Sequence, residues 1–428
     1  MGKKTNLGSE VQFQKGYAFK SSWYRPEGHP VVRVSNFTDS SVDTSDLIFI
    51  PEEIAKDYGK YRLSEGDVVI QTVGSWPSNP ASVVGKVIRI QKHASEALLN
   101  QNAVKLIPFA SLDQRFLFYR LKNEDYRSYI INTAQGAASQ ASITLDSIRA
   151  FEFVLPAISY QQRIASILSA YDDLIENNTR RIKILEDMAQ MLYREWFVNF
   201  RFPGHENVRM VESELGPIPE GWKVRKLSTL VKTQYGYTES ATINPVGPKY
   251  LRGMDINKSS YIQWDTVPYC PIATTDHGSY RLRVGDIVVI RMADSGKVGM
   301  VEKDIDAVFA SYLIRLQICD SSLSPYYLFS FLLSERYQDY VTGASTGTTR
   351  KSASAGVITD VPLLLPDSAT CERYELFIRD SRRMLNNLLD RNSILRTTRD
   401  LLLPKLISGE ISVEAFDEAA AELTEQTA

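Results

Sequence analysis

Two Gly-Asp pairs, Gly66-Asp67 and Gly285-Asp286, place a carboxylate at the head of an apolar run. Two such acids could act together as ligands of a divalent cation, which takes oxygen donors. Turn chemistry explains both pairs more simply: glycine permits the turn, and aspartate bonds the local backbone before a strand begins. Phosphate chemistry finds no better support. A phosphate-cradling loop needs G-x-x-x-x-G-K-[ST], yet Gly85-Lys86 runs into Val87 and Gly296-Lys297 into Val298. H-E-x-x-H does not occur, and no NPPY-like tetrapeptide or glycine-rich strand-to-helix loop marks a methyl-donor site. Cys270, Cys319 and Cys371 lie far apart without C-x-x-C spacing, and the four histidines are scattered. The expectation is a chain that catalyses nothing itself and holds no metal.

The Gly-Asp turns belong to something larger. Tyr61-Arg62-Leu63-Ser64-Glu65-Gly66-Asp67-Val68-Val69-Ile70 returns as Tyr280-Arg281-Leu282-Arg283-Val284-Gly285-Asp286-Ile287-Val288-Val289-Ile290. Gly66 to Gly285 spans 219 positions, as does Arg33 to Arg252, while Pro156 to Pro366 and Arg163 to Arg373 span 210. The nine-residue difference falls between Gly66 and Pro156 or their counterparts. Two diverged halves of this size imply two domains performing one task twice.

Composition bounds that task. A chain of 428 residues with 43% hydrophobic and 23% charged residues is long enough for two or three packed domains. No apolar run approaches a membrane span, Met1-Gly2-Lys3-Lys4 opens no signal peptide, and sparse cysteine fits a reduced cytoplasm. The net charge of −2 includes a tail, residues 411–428, that carries acids but no bases. Any polyanion must therefore be met by local patches rather than by bulk charge.

Residues 1–155 alternate β-rich runs such as Val83–Ile90 with turn clusters, and a helix is expected at about 112–131. A heptad seam follows: Ile164, Leu168, Tyr171, Ile175, Asn178, Ile182, Leu185, Ala189, Leu192 and Trp196, stopped at Pro203-Gly204. At offset 210 a second seam reads Tyr374, Ile378, Ser381, Leu385, Leu388, Asn392, Leu395, Arg399 and Leu402, up to Pro404. Helices of this length reach roughly 50–60 Å and must bury their stripes, each having the other as its natural partner. Asn178 and Asn392 either set the register of that pairing or face solvent at its edge. The expected fold is α+β, with a first mixed domain at 1–155, a long helix at 156–203 and a linker at 204–221. A second mixed domain at 222–365, a second long helix at 366–410 and an acidic tail complete it.

Three stretches then resemble the DNA-specificity subunits of type I restriction-modification systems, over nearly the whole chain. They are Ile182 through Leu192-Tyr193-Arg194-Glu195-Trp196-Phe197-Val198-Asn199-Phe200-Arg201-Phe202-Pro203, then Leu215-Gly216-Pro217-Ile218-Pro219-Glu220-Gly221-Trp222, and Leu401-Leu402-Leu403-Pro404-Lys405-Leu406-Ile407-Ser408-Gly409-Glu410-Ile411. The resemblance implies two target-recognition domains, each reading half of a split double-stranded DNA sequence. Their helices form an antiparallel intramolecular coiled coil, with a pseudo-two-fold internal repeat. It also implies two adenine-methyltransferase subunits that bind S-adenosylmethionine, and two translocase-nuclease subunits that use ATP and Mg. No cofactor is expected in this chain, no membrane partner, and a cytoplasmic location.

Candidate DNA contacts are polar and basic loops at matching places in the repeat. The first domain offers Gln71, Thr72, Gly74, Ser75 and Trp76, with Gln135, Gly136, Ser139 and Gln140. The second offers Arg291, Ser295 and Lys297, with Thr346, Gly347, Thr348, Thr349, Arg350 and Lys351. Gln can bond adenine bidentately and Arg guanine, while Lys and backbone N–H groups suit phosphates. Ordinary solvated turns have the same composition. Tyr193, Trp196, Phe197 and Phe200 are candidates for docking a methyltransferase subunit, or for packing against a neighbouring domain. Competing classes are a nuclease with a divergent metal site and a protein-binding scaffold.

Overall fold

The computed structural model describes residues 2–77, 83–137, 140–345, 352–414 and 416. The chain forms two compact units, residues 1–175 with 394–428, and residues 176–393. The boundaries cut both long helices near their middles, so the units do not follow the sequence segments. An antiparallel pair gives the physical reason. It sets the first half of one helix beside the last half of the other, and each unit takes one globule with two half-helices.

In the first unit a four-stranded antiparallel sheet runs in the order Val11–Lys15, Ala103–Pro108, Val68–Gln71, Val87–Arg89. In the second the same order is Val231–Tyr235, Leu313–Ile318, Ile287–Ile290, Val298–Met300. Each sheet is β-branched and buried along the strands Val68–Gln71 and Ile287–Ile290, which is why Val68-Val69-Ile70 and Ile287–Ile290 read as continuous apolar runs. The single helix expected at about 112–131 is two, Gln114–Lys122 and Glu124–Asn132, because Asn123 is extended between them. Their counterparts are Pro325–Leu333 and Glu335–Ala344.

The Gly-Asp pairs are structural. Gly66 and Gly285 take φ of 88° and 92°, where a side chain is disfavoured. Asp67 accepts from the Ser64 amide and lies 3.1 Å from Lys105 Nζ. Asp286 accepts from the Arg283 amide and lies 3.3 Å from Arg315 Nη1. Each carboxylate thus ties its turn to the neighbouring strand.

The first long helix runs Ile158–Tyr193 and closes in a π turn over Arg194–Val198, short of Pro203. The second runs Ser368–Ser408, straight through Pro404, and ends before Gly409 at φ 77°. A left-handed glycine is the ordinary helix terminator; Pro404 removes one backbone bond without stopping the turn. In the second unit the Asn178 amide donates to Asn392 Oδ1 at 2.9 Å, both residues being buried, and Ile182 clusters with Leu385 and Leu388. In the first unit Ile164 and Leu168 share a core with Leu403 and Leu406. Under the 210 repeat, Asn178 corresponds to Leu388 and Ile182 to Asn392, so the polar pair has an apolar mate. Changing Asn178 to Leu is expected to cost about 1–3 kcal/mol, because buried Asn392 Oδ1 then loses the donor that Asn178 supplies. The double change to Leu should recover most of it, as urea denaturation would show.

Burial also sets a response to alkali. The phenols of Tyr126, Tyr337 and Tyr374 are raised well above their ordinary range, burial being the first cause in each. The folded chain therefore holds protons that the unfolded chain releases. Stability is fully present below the ordinary tyrosine pKa of about 10 and falls as pH rises beyond it. Melting temperature followed from pH 8 to 11 should be flat at first and then drop.

Candidate nucleic-acid interface

The two loops singled out in the first domain are brought together. Val73 and Gly74 pair antiparallel with Ser142 and Ala141, and Gln135 bridges Ser142. Trp76 is half-buried and its indole N–H donates to the Ala137 carbonyl at 2.9 Å, clamping one loop on the other. Gly136 is required at the second loop: its φ is 143°, and an added Cβ would sit 2.2 Å from the Gln140 carbonyl oxygen. Thr72 and Ser75 are partly exposed and Gln140 is exposed, whereas Ser139 lies outside the described residues.

Gln71 is placed otherwise than expected. It is fully buried, and its amide donates to the Val73 carbonyl at 2.9 Å. Its side chain shapes the loop from within and presents no edge to a partner.

The second domain builds the same junction from different residues. Thr72 donates its N–H to Asn102 and accepts from Ile143, while Arg291 donates to Tyr312 and accepts from Ala353. Met292 bridges Ser352 as the first loop pair does. The Arg291 guanidinium lies 5.1 Å over the Tyr235 ring, and Ser295 Oγ donates to the Arg291 carbonyl. Lys297 is exposed. Thr346, Gly347, Thr348, Thr349, Arg350 and Lys351 lie outside the described residues.

The loops differ in length where the repeat loses its spacing. Ile70 pairs with Val87, 17 positions on, and Val289 with Val298, 9 positions on. Eight of the nine residues that separate the two offsets are therefore in this one hairpin. The frame keeps its register and the segment between the paired strands absorbs the change.

Beside each hairpin lies a cleft that the sequence reading missed. In the second domain it has a volume of about 510 Å³ and is lined by Arg252, Met254, Asn257, Asp294 and Tyr312 among others. In the first, Arg33, Asn100 and Asn102 line a smaller one of about 220 Å³. The backbone N–H groups of Arg33 and Arg252 donate to the side chains three positions on, Asn36 and Asp255, and Asp255 also holds the Arg252 guanidinium through two bonds. The Asn257 amide donates to Asp294 at 2.9 Å, while its Oδ1 is buried with no donor among the described residues. That floor is rich in acceptors and suits a group with N–H donors, such as a base edge. The one available signal was the Arg33–Arg252 repeat itself.

The aromatic candidates for docking are corrected. Tyr193, Trp196 and Phe197 are buried in the core of the second unit, against Tyr327 and Tyr374. Phe200 is half-buried, with φ of 56° and its ring edge-on to Trp222. The π turn rotates the helix end into this core, so these rings are internal packing.

Among the described residues no group of three or more His, Cys, Asp or Glu side chains is placed to hold a metal. Burial pushes the Cys270 and Cys371 thiols up to about 11, which keeps them protonated and unreactive at neutral pH. No helix among these residues is long and apolar enough to cross a membrane.

The fold and site define a class: a duplicated α+β protein whose two loop-bearing domains are joined by an antiparallel intramolecular coiled coil. Residues 3–187 match the family model described as type I restriction modification DNA specificity domain. The MjaIX specificity subunit of Methanocaldococcus jannaschii is 27% identical over 331 residues, covering 74% of this chain and 73% of that protein. The EcoKI specificity subunit of Escherichia coli is 22% identical over 426 residues, 96% of this chain and 88% of that one. The crystal structure of the type I S subunit from M. genitalium shares the fold, with a TM-score of 0.54 at 15% identity over 95% of this chain and 96% of that chain. The likeness to type I restriction-modification specificity subunits thus extends over most of the chain, and the family model itself covers residues 3–187.

Proposed function

We propose that each domain reads one half of an asymmetric bipartite sequence in double-stranded DNA and so directs adenine methylation or restriction by partner subunits. The observation that carries this reading is the paired loops: the same junction on the same frame, built with different lengths and side chains. One domain touches only a few base pairs, and two on a fixed spacer combine into a longer word. The chain itself is non-catalytic. Two methyltransferase subunits with S-adenosylmethionine, and two translocase-nuclease subunits with ATP and Mg, supply the chemistry in the cytoplasm.

The test is co-expression with the cognate methyltransferase subunit and genome-wide mapping of adenine methylation. The expected result is a split motif, one half of which changes when residues 1–155 are exchanged for those of a relative. A motif whose two halves change together, or no motif, would refute it. Phosphate contacts also require that DNA affinity weaken as salt rises.

A further inference from the structure

The cleft beside the short hairpin of the second domain holds both signs of charge, and each charged group is fixed by a second residue. Arg252 donates through Nε at 3.1 Å and Nη2 at 2.9 Å to the Asp255 carboxylate. Its Nη1 meets no acceptor among the described residues, and 30% of the side chain stays exposed. Asp294, exposed in the hairpin, takes the Asn257 amide on Oδ2 at 2.9 Å, while Oδ1 has no donor among the described residues. Arg252 and Asp294 line the same cleft and do not pair with each other, since Asp255 is the ion partner of Arg252. Ala293, immediately before Asp294, takes φ of 66°, a left-handed conformation that costs a residue with a side chain. The hairpin thus spends strain to turn at the point where the carboxylate is presented.

An exposed carboxylate is repelled by a polyanion unless it meets a donor. In the major groove the donors are the amino groups of cytosine N4 and adenine N6. Arg252 chooses between them. Two hydrogens on one Nη1 fit two adjacent acceptors, which guanine supplies as O6 and N7. An A·T pair separates its two acceptors by the adenine amino group, so the guanidinium meets only one of them. A G·C pair therefore answers both charges at once.

We infer that Arg252 and Asp294 together read one G·C pair in the second half-site, Arg252 on guanine and Asp294 on the amino group of its cytosine. This rests on the proposed reading, in which each domain reads half of a DNA target. Asn257 is a positioning residue, acting through the carboxylate it holds. The first domain has no such pair: its cleft is lined by Arg33 with Asn100, Gln101 and Asn102, and by no acid among the described residues.

The full chain is co-expressed with its methyltransferase subunit, the motif is mapped, and the purified complex is assayed on duplexes bearing each base pair in turn along the second half-site. Wild type should prefer G·C at one position by at least about tenfold in methylation rate. Asp294→Ala should reduce that preference to within about threefold, at that position alone, with the first half-site and the melting temperature unchanged. Arg252→Lys should weaken the preference at the same position, and Asn257→Ala should do so by less than Asp294→Ala. An unchanged preference in Asp294→Ala, an effect at an A·T position, or effects of Asp294 and Arg252 at different positions would overturn the inference alone. So would loss of the entire second half-site in Asp294→Ala, which would make the residue a shaper of the loop. A wild-type complex with no split motif would overturn the proposed function with it.

Discussion

Replacing Arg382 with Met should lower the unfolding free energy by roughly 3–5 kcal/mol, because it leaves the Glu302 carboxylate buried without its counter-charge. Arg382 and Glu302 side chains are only 5% and 7% exposed. Nε donates to Glu302 at 2.9 Å, Nη1 to Ser260 Oγ and Nη2 to the Ser260 carbonyl, each at 2.9 Å. The guanidinium also lies 5.2 Å over the Phe329 ring. Met keeps the apolar stem, so the loss isolates the charge. Urea denaturation of the full chain measures it, and adding Glu302→Leu should recover most of the loss by removing the stranded acid. A single variant with wild-type stability would refute the anchor.

The 210 repeat shows why this position matters. Arg382 corresponds to Asp172, and Phe329 to Tyr119. In the first unit Tyr119 donates its hydroxyl to Asp172 at 2.5 Å, and Asp172 also takes Arg399 at 2.5 Å. Burial first, and then the Asp172 charge, hold the Tyr119 phenol well above its ordinary range. Each globule is thus pinned to its helix at the same place, by a phenol and a carboxylate in one unit and by a ring and a guanidinium in the other.

Grafting the short hairpin Arg291–Lys297 in place of Thr72–Lys86 should abolish recognition of the first half-site and leave the second intact. Each mismatched base pair costs roughly 1–3 kcal/mol, so losing a half-site of a few pairs should slow methylation of the original target by at least about a hundredfold. The adenine methylation map reads the result directly, with the wild-type split motif as its control. Gly136→Ala is the smaller companion change, since it disturbs only the loop that Trp76 clamps. If both halves of the motif survive the graft, the hairpin is not the reader.

Much of the frame could be read in advance because it follows a local period. The seam from Ile164 to Trp196 repeats at 3.5 residues, and any helix with that stripe must bury it. The Gly-Asp turns were legible for a similar reason, since glycine at positive φ and a backbone-bonding aspartate act within four residues. Gln71 was misplaced because its polar type says nothing about direction: a strand's side chains alternate faces, and this one points inward. Tyr193, Trp196 and Phe197 read equally well as a docking surface or as core, and only the π turn after Tyr193 decided for core. The cleft beside Arg252 had no signal beyond the Arg33–Arg252 repeat, because its walls come from four separate segments between Glu239 and Tyr312.

By itself, the sequence determined that the chain is a duplication, that its helices must pair, and that the acids after Gly66 and Gly285 serve turns. Each follows from periodicity or from bonds between near neighbours. Tertiary structure alone decided which aromatic rings are internal and which pair of strands brackets the eight extra residues. Those outcomes depend on contacts between residues as distant as Asn178 and Asn392, which no local pattern encodes.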